Sequence, residues 1–297
     1  MTTLPTEEET ITDWGADSEY GVLTDALICR PDNFRWLATS AISQATLDSE
    51  AVFDRELGLR QHAEMVVAYE NAGIRCHFLG PDPALPYQVF ARDSSAATPK
   101  GPVVLMPQQW WRRGEYAPVI DFYAETAVPL AGRITAAPVE GGDVMIAEPG
   151  SALIGYSESR TQEPGARQMA AYFEAEGWEV RIQQIPASFV HLDVLVAFLD
   201  EKLAAVCSEV MPAGLIAWLR AKGFDLIEVP EHEAFELGVN AMSLGNGRVL
   251  SASGARTLNA AMRARGLSVI DPDLSMFTAG GGGAHCLVQA LRRERVG

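Results

Sequence analysis

The chain of 297 residues is 48% hydrophobic and 21% charged, enough apolar material for one large domain or two ordinary ones. Its net charge of −16 and pI near 4.7 argue against nucleic acid and anionic membrane as partners. No apolar run approaches the roughly 20 residues of a membrane span, and none of the four cysteines sits in a CxxC pair or zinc-ligand cluster, so a reduced, cytoplasmic protein is expected.

In chain order, the first residues, "MTTLPTEEETITDW", are acidic and lack the basic and apolar regions of a secretory signal. Residues 1–15 read as a mobile tail. Residues 16–297 read as a single domain, because no shift in composition marks a linker. Beyond the tail one pattern recurs. A run with apolar residues every three or four positions ends in glycine, and a short β-rich segment follows at once. It appears around Gly73, Gly177, Gly223 and Gly266, with a weaker member at Gly132. Spacings of about 45 to 60 residues indicate a repeated αβ module. Further β-rich runs between these units, such as "VLTDALICR", "SALIGYS" and "LDVLVAFL", place a strand before and after each helix. A doubly wound sheet would alternate more plainly, so five ββα-type modules around an axis are expected, with chemistry where their loops converge.

Short polar motifs punctuate the modules. Phe90-Ala91-Arg92-Asp93-Ser94 sets an acid beside an arginine, as a surface turn also would. Glu140-Gly141-Gly142-Asp143 reads either as a hairpin turn or as two acids whose glycines let a substrate approach. His191-Leu192-Asp193 opens an apolar run, where a strand would set His191 and Asp193 on one face. Cys29, Cys76 and Cys207 lie in apolar stretches and read as small buried hydrophobes. Cys286 differs, because it follows four consecutive glycines, Gly280–Gly283, and His285. No Lys-Ser/Thr follows those glycines, and the strand and acid of a dinucleotide fingerprint are misplaced, so a phosphate cradle is excluded. What remains is a tight loop whose bare backbone lets a reactant come close to Cys286.

One thiol, one histidine and several carboxylates, with no metal set, have a common logic. Carboxylates grip the planar guanidinium through its forked N–H donors. A thiolate can attack its central carbon, and a histidine can protonate the leaving amine and activate water.

With its motifs in this order, the chain resembles the guanidine-modifying superfamily of arginine deiminases, dimethylarginine dimethylaminohydrolases, agmatine deiminases and amidinotransferases. The resemblance implies an α/β five-bladed propeller of pseudo-repeated ββαβ modules and a cofactor-free, metal-free C–N hydrolase acting on a guanidino amino acid. By resemblance Cys286 is the nucleophile, His191 the general acid/base and Glu140 the acid that assists it. Asp93 and Asp193 hold the guanidinium, and Asp143 orients its loop. "WWRRGEY" and "GYSESRTQEPGA" match segments whose arginines take a substrate α-carboxylate, which assigns Arg160 and Arg113, with Arg112 an alternative to Arg113. Asp193 favours a guanidine with free or singly modified nitrogens, since an acid facing two methyl groups would be left unpaired. Amidino transfer, dimethylarginine hydrolysis and guanidine binding without catalysis are the rival readings, and a homodimer is the candidate assembly.

Overall fold

The computed structural model describes residues 14–297. Their strands form five three-stranded sheets, each built alike. In the second sheet, β3 (Ser95–Thr98) pairs antiparallel with β4 (Gly101–Val104), and helix α3 (Tyr116–Glu125) leads to β5 (Gly132–Arg133), parallel to β4. The third repeats this with β6 (Val144–Glu148), β7 (Ser151–Tyr156), α4 (Glu163–Glu174) and β8 (Glu179–Gln184). The fourth uses β9 (Val196–Asp200), β10 (Leu203–Val206), α5 (Ala213–Ala221) and β11 (Asp225–Glu228). After the short helix α6 (Glu231–Phe235), the fifth uses β12 (Met242–Gly245), β13 (Arg248–Leu250), α7 (Arg256–Ala264) and β14 (Ser268–Ile270).

The first sheet is completed from both chain ends. The strand β1 (Leu23–Cys29) pairs in parallel with β2 (Arg75–Leu79) across α1 (Ala41–Asp48) and α2 (Arg55–Asn71). Its antiparallel partner is β15 (Val288–Arg293), which follows the short helix α8 (Ser275–Thr278), with Ile28 opposite Val288 and Leu23 opposite Arg293. The first strands and the turns before them touch those of neighbouring sheets, β15 against β3 and β9 against β12, so they surround the axis. This is a five-bladed α/β propeller.

Each helix covers its blade with an apolar stripe. In α4, Ala166, Met169, Ala170 and Phe173 are buried at helical spacing over β7 and β8. The turn after α4 is completed by Gly177 at φ +77°, and Gly73, Gly223 and Gly266 stand likewise at +84°, +85° and +86°. Gly132 departs from the expectation. Ala127 takes the left-handed position after α3 at φ +56°, while Gly132 begins β5 beneath Tyr172, whose hydroxyl would lie 2.2 Å from an added Cβ.

The expected N-terminal tail falls mostly outside the described residues. Its last two members are packed: Trp14 lies against His77 and Phe122, and the Gly15 carbonyl accepts from Arg293 N at 3.1 Å. Among the described residues no helix is long and apolar enough to cross a membrane.

Candidate active site

Every blade sends a polar side chain inward from just ahead of its first strand. A 3-10 turn at Ala91–Ser94 carries Asp93 into β3, and one at Gly141–Asp143 follows Glu140 into β6. A third, Leu192–Val194, follows His191 into β9. Asn240 precedes β12, and Cys286 precedes β15. Asp93, Glu140, His191, Asp193, Asn240 and Cys286 are all at most 4% exposed. A tight, nearly filled cavity is lined by Asp93, His191, Cys286, Arg112 and Arg160, with Tyr87, Phe90 and Val190 as apolar walls.

His191 Nε2 donates to Glu140 Oε2 at 2.8 Å, and its Nδ1 lies 3.7 Å from Asp93 Oδ1. Asp193 turns the other way: its Oδ2 accepts from His285 Nδ1 at 2.8 Å and from the Cys286 thiol at 3.6 Å. The pair therefore does not share a strand face. The turn at Leu192–Val194 sends the two side chains to separate partners, a geometry that period-two alternation could not reveal. Asp143 braces this turn by accepting from Leu192 N at 2.8 Å. Asp193 Oδ1 is buried with no hydrogen-bond partner among the described residues.

The electrostatics follow from these contacts. Burial works against a charged His191, but Asp93, Glu140 and Asp143 overcome it and raise the imidazolium to about 9. Burial likewise opposes charge on Glu140, yet Arg160, His191 and Arg112 hold its carboxyl below the usual carboxylate range. At Cys286 the hydrogen bonds that favour a thiolate, from Gly283 and Asn240, are outweighed. Burial, then the charges of Asp193 and Asp93, push the thiol well above its ordinary value.

Two guanidinium groups already sit among these acids. Arg160 Nη1 donates to Glu140 Oε2 at 3.1 Å and its Nη2 to the Thr39 carbonyl at 2.6 Å. Arg112 Nη1 donates to Asp93 Oδ2 at 2.8 Å, while its Nε and Nη2 grip both oxygens of Glu115. Arg113, by contrast, is exposed and does not line the cavity. The turn before α3 points its neighbour Arg112 inward instead, so of the two arginines this segment offered it is Arg112 that lines the cavity.

Asp93, Glu140 and His191 bring potential ligand atoms within 4.8 Å of one another, the geometry of a metal site. Both acids are shared with guanidinium groups, whose charge competes with a metal ion for the same oxygens. The donor set suits an organic cation better.

The glycines serve packing. A Cβ on Gly142 would lie 2.7 Å from His191 Nδ1, and one on Gly283 would lie 2.7 Å from Asn240 Oδ1. The bare backbone thus admits the site's own side chains, where a substrate approach was expected.

Three residues escaped motif reading. Asn240 Nδ2 donates to Cys286 Sγ at 3.2 Å. Glu19 meets Arg92 at 3.1 Å and His285 Nε2 at 3.6 Å beneath the site. Glu115 anchors Arg112. Only Glu115 carried a signal, lying three residues beyond Arg112 in "WWRRGEY".

Comparison with known proteins agrees with this architecture. A family model described as N,N dimethylarginine dimethylhydrolase, eukaryotic, matches residues 30–293. The uncharacterized protein YkgA of Bacillus subtilis is 28% identical over 276 residues, covering 93% of this chain and 94% of that protein. An arginine deiminase of Mycobacterium marinum is 27% identical over 249 residues, 71% of this chain and 61% of that one. A solved dimethylarginine dimethylaminohydrolase from Pseudomonas aeruginosa, a cysteine-to-serine mutant complexed with citrulline, superposes with TM-score 0.76. It is 25% identical and covers 90% of this chain and 99% of its own. The chain thus belongs to the N,N dimethylarginine dimethylhydrolase family, within the guanidine-modifying superfamily, and is a hydrolase acting on amidines or guanidines.

Proposed function

We propose that the protein hydrolyses the guanidino C–N bond of arginine, or of an arginine with one modified terminal nitrogen, through a covalent intermediate on Cys286. One observation carries the reading: the buried ring of acids around the thiol already binds guanidinium, the chain's own Arg160 lying on Glu140.

Substrate guanidinium displaces Arg160 from Glu140, and Arg160 turns to the substrate α-carboxylate. The organic cation beside Cys286 offsets the carboxylates that keep the thiol protonated. The thiol gives its proton to solvent, and the thiolate adds to the guanidinium carbon. His191 gives its proton to the departing nitrogen, which leaves as ammonia or amine, and a thiouronium remains on sulfur. Neutral His191 then takes a proton from water, the hydroxide adds, and the C–S bond breaks as the new hydroxyl's proton passes to sulfur, returning the thiol and a ureido product such as citrulline.

Asp193 Oδ1 supports free or singly modified nitrogens, since a buried acceptor without a partner calls for an N–H donor. The second reading is dimethylarginine as substrate, favoured by the family match and the P. aeruginosa structure. Arginine, monomethylarginine, asymmetric dimethylarginine and agmatine, assayed together for ammonia, methylamines and ureido product, separate the two. Release of dimethylamine faster than ammonia supports the second reading. Equal turnover by Cys286→Ser overturns both.

A further inference from the structure

Four blades contribute an acid, a histidine or the thiol to the site, and the fifth contributes Asn240. This side chain, 2% exposed, is held in one orientation by four contacts. Its Oδ1 accepts from His285 N at 2.9 Å and from Cys286 N at 3.3 Å. That fixes which end of the amide is the donor. Nδ2 then donates to the Asp193 carbonyl at 3.2 Å and to Cys286 Sγ at 3.2 Å. Gly283 is shaped to this residue, because a Cβ there would strike Oδ1 at 2.7 Å and the Asn240 Cβ at 3.0 Å.

The geometry points to Asn240 as a catalytic residue: its Nδ2–H donates to the sulfur of Cys286 and carries part of the negative charge that sulfur bears as nucleophile and again as leaving group. Other charged groups around the sulfur are Asp193 and Asp93, with His285 behind Asp193 and His191 on the same cavity wall. The two acids raise the cost of a thiolate, and a neutral donor lowers it without competing for the substrate's positive charge. Neither a carboxylate nor a cation at this position would do both. A hydrogen bond to a charged acceptor is stronger than one to a neutral acceptor, so Nδ2 binds the thiolate more tightly than the thiol.

This rests on Cys286 as the nucleophile, but its test needs no substrate. Cys286 is titrated by its thiolate absorbance, taking the difference from Cys286→Ser, in the otherwise unaltered full chain. The pH dependence of its alkylation by iodoacetamide, in which the S–C bond forms and iodide leaves, gives a second measure. Asn240→Leu keeps much of the side-chain volume and removes the donor, and Asn240→Ala is the companion variant. Each is expected to raise the titration midpoint by about one to two pH units and to lower kcat more than it raises KM. If Asn240 served only to anchor the loop, activity would fall while the midpoint stayed at the wild-type value. That result in either folded variant overturns the proposal. Failure of the nucleophile assignment would show separately, as turnover that survives Cys286→Ser.

Discussion

Replacing Arg160 by methionine tests the exchange of partners proposed for substrate recognition. In the free protein its guanidinium is committed to Glu140 at 3.1 Å and to the Thr39 carbonyl at 2.6 Å. An arginine substrate brings both a guanidinium for Glu140 and a carboxylate for Arg160, so both charges are re-paired. Agmatine brings only the guanidinium and leaves Arg160 displaced with no partner. Losing a charge-assisted hydrogen bond of about 1.5–3 kcal/mol lowers kcat/KM for arginine by about 10- to 150-fold. Agmatine turnover is expected to hold or rise, since nothing then competes for Glu140. The pH profile moves as well. Burial disfavours the Glu140 carboxylate, and Arg160 is the largest of the groups that overcome it. Without Arg160 the carboxyl rises, and the acid limb of kcat/KM shifts toward neutrality. Steady-state kinetics with both substrates across pH provide the measurement. An equal loss for arginine and agmatine would refute the exchange and leave Arg160 a structural ion-pair partner.

Arg92→Met strands Glu19 in the interior and is expected to cost about 3–5 kcal/mol in urea unfolding, with Arg92→Met/Glu19→Gln recovering part of it. Glu19 is held below its ordinary 4.5 despite burial, chiefly by Arg92. Its contribution is therefore present above that ordinary value and fades as pH falls through the lowered one, so wild type and variant should converge in acid; a constant gap would count against this account. Arg113→Ala should leave activity unchanged and stability within about 0.5 kcal/mol, whereas Arg112→Met should lose both, since it leaves Glu115 and Asp93 without their cation. Gly282→Ala would place a Cβ 2.2 Å from Phe90 Cε1. Its expected signature is a lowered melting temperature together with lost turnover, and an unperturbed melt would contradict the packing argument.

The outer parts of each blade were the most legible in the sequence. Helix, capping glycine and parallel third strand recur in a local pattern that needs no distant partner, as at Gly177 and Gly223. The inner strands were harder to read. Runs such as Met242–Gly245 and Ser95–Thr98 are short and almost wholly buried, so no alternation distinguishes a face. At the site, ionisable residues in short motifs stood out, whereas Asn240 carries no charge and occupies no motif. Its importance comes from a sulfur 46 positions away. Arg112 and Arg113 are chemically identical in sequence, and only the turn before α3 decides which one enters the ring. The glycines of Gly280–Gly283 were legible as a tight loop, but the groups that require them, Phe90 and Asn240 among them, lie far away in the chain.

The strand β15 that completes the first blade begins two residues after Cys286. Synthesis runs from the N-terminus, so the thiol leaves the ribosome after every acid and histidine it works with has been made. On the proposed mechanism a nascent chain that stops short of Cys286 holds the acids and the imidazole but no nucleophile, and a protein cut short before β15 lacks its closing strand. The proposed nucleophile and the strand that seals the ring are therefore made together.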